Sequence, residues 1–217
     1  KKACHIATAG RPGPVVIDVP KDTTDPSATY AYEYPSTVAM RSYKPAFEGD
    51  SHQVNLAIEA LLAAKRPVFY VGGGVIQADA EDSLRALVKA ANVPVTSTLM
   101  GLGAYPGSDP QSLGMLGMHG TYEANMTMHE TDLIFALGAR FDDRVTNNPD
   151  KFSPKATIVH LDVDSASVDK IVRSDIALVG DAGWALNALW DAYQARDAER
   201  DAAEKEKQQQ DRVKRWE

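Results

Sequence analysis

Between residues 51 and 194 the apolar positions follow two alternating rhythms. Val54, Ala57, Ile58, Leu61 and Leu62 recur at helical spacing and stop at Arg66-Pro67, and Leu84, Leu87, Val88 and Ala91 repeat the pattern. Between and after them stand short continuous apolar runs at 68–71, 93–99, 133–137, 157–161 and 176–179, which read as strands buried on both faces. Further helices are expected at 121–130, near 165–171 and at 182–193. Strands that alternate with helices predict an α/β fold, a doubly wound parallel sheet with helices on both faces.

The flanks differ from this middle. Residues 1–10 read as the last turns of a helix stopped by Gly10, and Arg11-Pro12-Gly13-Pro14 as a turn. Val15-Val16-Ile17-Asp18-Val19 has the composition of a buried strand closed by Pro20, yet no periodic segment adjoins it. About thirty residues rich in Pro, Ser, Thr and Tyr follow, longer than most connections inside a compact unit. Residues 1–22 are therefore expected to complete a preceding domain, with 23–50 a linker, 51–194 the sheet domain and 195–217 a charged helix or linker leading onward. An ordinary first strand followed by a long functional loop is the alternative. The last 23 residues carry 14 charged side chains, seven of each sign, with Asp201–Lys205 at helical i, i+4 spacing, and read as an exposed helix. Trp216 suggests a continuation that would bury it.

Charge and composition narrow the function classes. With 23 Lys+Arg against 30 Asp+Glu the formal net charge is −7, and no basic cluster suits nucleic acid or an anionic membrane surface. No apolar run approaches the roughly 18 residues of a membrane span. The lone cysteine, Cys4, excludes an internal disulfide framework and fits a reducing, cytoplasmic setting; it reads as a small core residue. The first residues lack the apolar stretch of a signal peptide.

In an open α/β sheet, ligands bind outside the carboxyl ends of the strands. Glycines gather there: Gly72-Gly73-Gly74, then Gly101 and Gly103, then Gly114, Gly117 and Gly120, and Gly138. Glycine at four strand ends favours an extended dinucleotide, beside the plainer reading of turn punctuation. A nicotinamide-type fingerprint fits poorly, because Gln77 follows Gly74-Val75-Ile76 and Asn92 stands where an acid is expected. Arg140-Phe141-Asp142-Asp143-Arg144 puts two guanidiniums past a buried strand, either a phosphate or carboxylate site or a surface ion-pair cluster. His160-Leu161-Asp162-Val163-Asp164 offers a ribose contact with helix capping, or a metal site. No nucleophile elbow, zinc-protease motif, P-loop or acid–base pair is present.

The run Met115-Leu116-Gly117-Met118-His119-Gly120-Thr121-Tyr122-Glu123-Ala124-Asn125, followed by Gly138-Ala139-Arg140-Phe141-Asp142-Asp143-Arg144-Val145-Thr146, resembles the catalytic subunits of the acetohydroxyacid synthases, also called acetolactate synthases. Gly10-Arg11-Pro12-Gly13-Pro14-Val15 with Pro20-Lys21-Asp22, and Leu99-Met100-Gly101-Leu102-Gly103, match the same family in the same order. The resemblance covers nearly all of residues 1–194. It implies the end of a pyrimidine-binding domain followed by a six-stranded middle domain that binds FAD. In that family the complete enzyme uses thiamine diphosphate and Mg²⁺ to condense two 2-oxo acids with loss of carbon dioxide, opening branched-chain amino-acid synthesis.

Carried over by position, the resemblance implies flavin contacts at Arg11, Gly72, Gly73, Gly74, Thr98, Leu99, Leu116, Gly117, Met118, His119, Gly138, Arg140, Arg144, Val145, Asp162 and Asp181. Lys21, Met118, Asp143 and Arg144 would line the substrate channel, with Arg144 the partner of an oxo-acid carboxylate. It further implies a homodimer or homotetramer of catalytic subunits and a regulatory small subunit. The glutamate that activates thiamine and the G-D-G…N metal motif of the family are not among these residues, so no synthase activity is expected from the 217 residues alone. A related redox enzyme such as pyruvate oxidase, or a scaffold without its nucleotide, are the other readings.

Overall fold

The computed structural model describes residues 1–200 and 202–216, and divides into two compact units, Lys1–Ala46 and Phe47–Glu217. In the first, α1 (Lys2–Thr8) ends where the Ala9 amide bonds to the His5 carbonyl and Gly10 takes a φ of +61°. The Tyr43 hydroxyl donates to the Ala9 carbonyl. Residues 15–19 do not form the expected strand. They are exposed, Val16 at 91%, and no described backbone pairs with them in a ladder. Cys4 is exposed rather than part of a core.

The second unit is a six-stranded, all-parallel sheet. Its strands are β1 (Pro67–Val71), β2 (Val95–Ser97), β3 (Ser112–Met115), β4 (Leu133–Leu137), β5 (Thr157–Asp162) and β6 (Ile176–Val179), in spatial order β3-β2-β1-β4-β5-β6. This is the doubly wound order, which reverses direction between β1 and β4. One face packs on α2 (Ser51–Ala63), α4 (Glu81–Ala91) and α7 (Ala182–Ala198), through Phe69, Phe135, Leu137 and Leu161 of the sheet against Ile58, Leu61, Leu87 and Leu189. The other carries Val68, Tyr70, Ile134, Ala136 and Ile158 beneath Met128 of α5 (Tyr122–Glu130) and a cluster of loop side chains.

Capping fixes where these helices begin. Asp50 accepts from the His52 amide at 2.8 Å, Thr121 from Ala124 at 3.1 Å, and Asp181 from Gly183 at 2.9 Å. At the far end of α4, Asn92 adopts the left-handed conformation (φ +49°) that stops a helix.

Three local expectations give way. The edge strand β3 falls where only a glycine-rich stretch is expected. No helix forms at 165–171; there Asp162, Asp164 and Asp169 bond through their carboxylates to the amides of Asp164, Ala166 and Ser174, turning the chain instead. The charged C-terminal segment is a helix, α8 (Ala202–Trp216), but it is not simply solvated: Arg212 is only 4% exposed. Asp201, and with it the expected Asp201–Lys205 pair, lies outside the described residues, as does the side chain of Trp216; Lys205 stands 2.9 Å from Asp197. Two short helices, α3 (Gly73–Gln77) and α6 (Asp143–Thr146), complete the fold, following β1 and β4.

Candidate functional site

Every strand hands the chain to a segment singled out in the sequence. Val71 leads to Gly72, Gly73 and Gly74; Ser97 to Thr98 and Leu99; Met115 to Leu116, Gly117, Met118 and His119. Leu137 leads to Gly138, Arg140, Asp143, Arg144 and Val145, while β5 ends on Asp162 and β6 is followed by Asp181. Because all strands run the same way, these residues lie along one edge of the sheet. Arg11 and Lys21 belong to the first unit, where both are exposed.

At the point where the winding reverses, the backbones of β1 and β4 converge. A Cβ on Gly72 would stand 2.2 Å from the Gly138 carbonyl oxygen, and one on Gly74 2.8 Å from Gly138 Cα. Gly138 itself needs a φ of +57° to make the turn, and its carbonyl accepts from the Gly74 amide at 3.1 Å. Side chains here would drive the strand ends apart, so the main chain stays bare and close-packed. Thr98 joins the same edge, its amide on the Val71 carbonyl at 2.8 Å and its hydroxyl accepting from Gly101 at 2.9 Å.

Two loops meet beside this seam. Asn125 of α5 reads both sides of Gly117, its Oδ1 accepting from the Gly117 amide and its Nδ2 donating to the Gly117 carbonyl, each at 3.1 Å. The next residue, Met118, donates its amide to the Arg144 carbonyl at 3.0 Å. The segment after β3 is thus tied to the segment after β4, although their strands are not neighbours in the sheet. Asn125 carries no assigned role in the sequence; its place in the quoted motif, four residues past the Thr121 cap, is the signal that points to it.

The rim has two characters. Leu99, Met100, Met118 and Tyr122 are exposed apolar side chains, whereas Arg140, Asp142, Asp143 and Arg144 are exposed and charged. The Asp142 carboxylate accepts from the Arg144 amide at 3.1 Å. Its pKa lies below the ordinary carboxylate range, held there by a hydrogen bond with the Asp143 side chain, then by that amide, with the Arg140 and Arg144 charges adding.

Beneath the charged rim, the stretch His160-x-Asp162 turns inward. Both side chains are buried, and the cross-strand register places Tyr70, Ala136 and His160 in one row. His160 Nε2 lies 3.1 Å from the Ala139 carbonyl, and its ring meets the Phe141 ring edge-on with centroids 5.1 Å apart. Burial pushes the imidazole pKa down, against the opposing pull of Asp162, and pushes the Tyr70 hydroxyl pKa up. Among the described residues no group of three or more His, Cys, Asp or Glu side chains is gathered as metal ligands would be. Asp181 uses Oδ1 on the α7 cap, accepting from Gly183 and Trp184. Bare backbone, two guanidiniums and an apolar shelf suit the holding of an extended, phosphate-bearing, partly aromatic ligand.

Comparison with known proteins agrees with the architecture. The family model described as "Thiamine pyrophosphate enzyme, central domain" matches residues 54–189. The chain is 53% identical over 189 residues to the acetolactate synthase isozyme 3 large subunit of Escherichia coli (strain K12), covering 87% of this chain and 33% of that protein. It is 54% identical over 182 residues to the acetolactate synthase large subunit of Haemophilus influenzae (84% and 32%), and 42% identical over 198 residues to that of Corynebacterium glutamicum (91% and 31%). The chain spans about a third of the length of these curated relatives. Strand order, glycine-lined switch point and sequence agree: the chain belongs to the thiamine pyrophosphate enzyme central-domain family, in a form about half identical to acetolactate synthase large subunits.

Proposed function

We propose that this chain supplies the FAD-holding middle domain of an acetolactate synthase large subunit, which condenses two 2-oxo acids with loss of carbon dioxide for isoleucine and valine synthesis in the cytoplasm. The observation that carries the flavin reading is the switch point between β1 and β4, where both strands end in glycine on one edge of the sheet and the exposed Arg140 follows Gly138 by two residues. A bare main chain lets a pyrophosphate come close, and the Arg140 and Arg144 forks offset its charge. When bound, FAD supplies two phosphate charges and a flat ring system. Leu99 and Met118 offer the ring an apolar surface, and Asp162 suits a ribose hydroxyl. Thr98, Leu116, His119, Val145 and Asp181, beside Gly73, Gly74 and Gly117, complete the set on this sheet edge.

On this reading Arg144 and Asp143 serve the substrate side of the rim, Arg144 pairing with an oxo-acid carboxylate. Thiamine diphosphate and Mg²⁺ are held by parts of the synthase outside these residues. The whole protein works as a homodimer or homotetramer with a regulatory small subunit.

Calorimetric titration of FAD into the chain is expected to show saturable binding, weakened about 10- to 100-fold by Arg140→Ala, as the loss of charge-assisted hydrogen bonds implies. Absence of saturable binding, or equal affinity in the variant, would count against the flavin assignment.

A further inference from the structure

We infer that His160, buried beneath the site, is a positioning residue for Arg140, holding the residues on either side of it so that the guanidinium is presented at the switch point in one place. Arg140 is exposed, but its neighbours are not: Ala139 and Phe141 are buried at 1% and 3% exposure. The Ala139 carbonyl lies 3.1 Å from His160 Nε2, and the Phe141 ring packs against the imidazole, Tyr70 and Phe152. The Tyr70 hydroxyl lies 3.4 Å from the carbonyl of Arg140 itself. In the row Tyr70–Ala136–His160 the small central residue separates two rings, and Phe141 contacts both of them.

The proton arrangement follows from the partners. A carbonyl only accepts, so Nε2 carries the hydrogen. Nδ1 is fully buried with no hydrogen-bond partner. An orphaned acceptor in a core is a cost that an apolar ring of the same shape would not carry. What the imidazole provides in return, and phenylalanine could not, is the single N–H on the Ala139 carbonyl. The charges of Asp162 on the same strand and Asp169 on the following loop both favour a second proton; burial outweighs them and holds the imidazole pKa below its ordinary value.

This inference rests on the flavin reading for its ligand but not for its geometry, and the experiment separates the two. FAD dissociation constants would be measured by calorimetry on the full chain for wild type, His160→Phe, His160→Gln, Arg140→Ala and the Phe/Ala double variant. His160→Phe is expected to weaken binding about five- to tenfold, the worth of one neutral hydrogen bond. His160→Gln, whose amide Nε2 reaches a similar place, should recover most of that. In the Arg140→Ala background His160→Phe should change nothing. Equal weakening in both backgrounds, or none in either, overturns the proposal.

Should wild type fail to bind FAD, the flavin reading falls, and amide hydrogen exchange of the unliganded chain decides this one. His160→Phe is expected to raise exchange about tenfold at residues 139–141 while β4 and β5 stay protected, and unchanged exchange overturns the proposal. If His160→Phe does not fold, the nitrogen resonances of wild-type His160 decide instead. A hydrogen on Nε2 with a bare Nδ1 supports the inference; a hydrogen on Nδ1 overturns it.

Discussion

Burial makes His160 a base that the fold discourages from taking a proton. Its folded-state pKa lies below the ordinary 6.5, first because of desolvation, with Asp162 and Asp169 opposing. Between the folded and unfolded values the unfolded chain binds more protons, so stability rises with pH across that window. The contribution is therefore complete above about pH 6.5 and is lost as pH falls from there toward the folded value. Chemical denaturation at about pH 5 and pH 7.5 should show a larger acid loss for wild type than for His160→Phe; identical losses would refute the assignment. That side chain also marks a limit of sequence reading. His160 and Asp162 alternate along a strand, so their shared face is legible, and a ligand pair or a ribose contact follows naturally. Nothing in the spacing says that this face looks into a second core, because β5 is covered on both sides and its apolar neighbours read alike. The strand-end glycines and Arg140 were legible because their chemistry is local: bare backbone and permanent charge announce themselves wherever they fall.

At the scale of elements, α8 acts as a clamp on two other helices. The Arg212 guanidinium donates to the Ala91 carbonyl of α4 at 2.6 Å and to the Leu61 carbonyl of α2 at 2.7 Å, with Ala64 at 3.3 Å. These are last-turn or cap carbonyls, which have no partner within their own helices. Burial lowers the Arg212 pKa to about 10, still charged at neutral pH. Gln208 of the same helix donates to the Leu62 carbonyl, and Tyr193 of α7 to Ala90 at 3.0 Å. Arg212→Ala should cost about 2–4 kcal/mol by leaving buried carbonyls unsatisfied, and Arg212→Lys should recover only part, since one ammonium cannot fork toward both helices. Thermal unfolding measures both; a loss under about 0.5 kcal/mol for the alanine variant would rule out the clamp. Within a run of alternating charges no single arginine stands out, so this role was invisible in the sequence. β3 was missed for a related reason: Ser112-Leu113-Gly114-Met115 lies at a half-exposed edge, with Gly114 in a left-handed conformation, and lacks the continuous apolar run of the inner strands. Residues 15–19 show the converse, strand-like composition without a described partner.

At the scale of the whole molecule, the proposed function separates binding from chemistry. The described sheet edge offers cations, bare amides and an apolar shelf. An acetolactate assay of the 217-residue chain with pyruvate, thiamine diphosphate, Mg²⁺ and FAD is expected to give background; turnover by this chain alone would overturn the division of labour proposed for it. The sheet's central pairing carries a further consequence, in time rather than in space. β1 is complete long before its partner, because Pro67 pairs with Leu133 and Val71 with Leu137, each across a wide stretch of intervening chain. A chain emerging from the ribosome can pair β1 with β2, and β2 with β3, early, but one edge of β1 stays bare until β4 arrives, and such long-range pairing is the slow part of folding. Gly72 and Gly138 meet only then. The site proposed for the nucleotide lies at this late-closing seam, so a ligand held there would act only after assembly, slowing the molecule's unfolding while leaving the speed of its folding almost untouched.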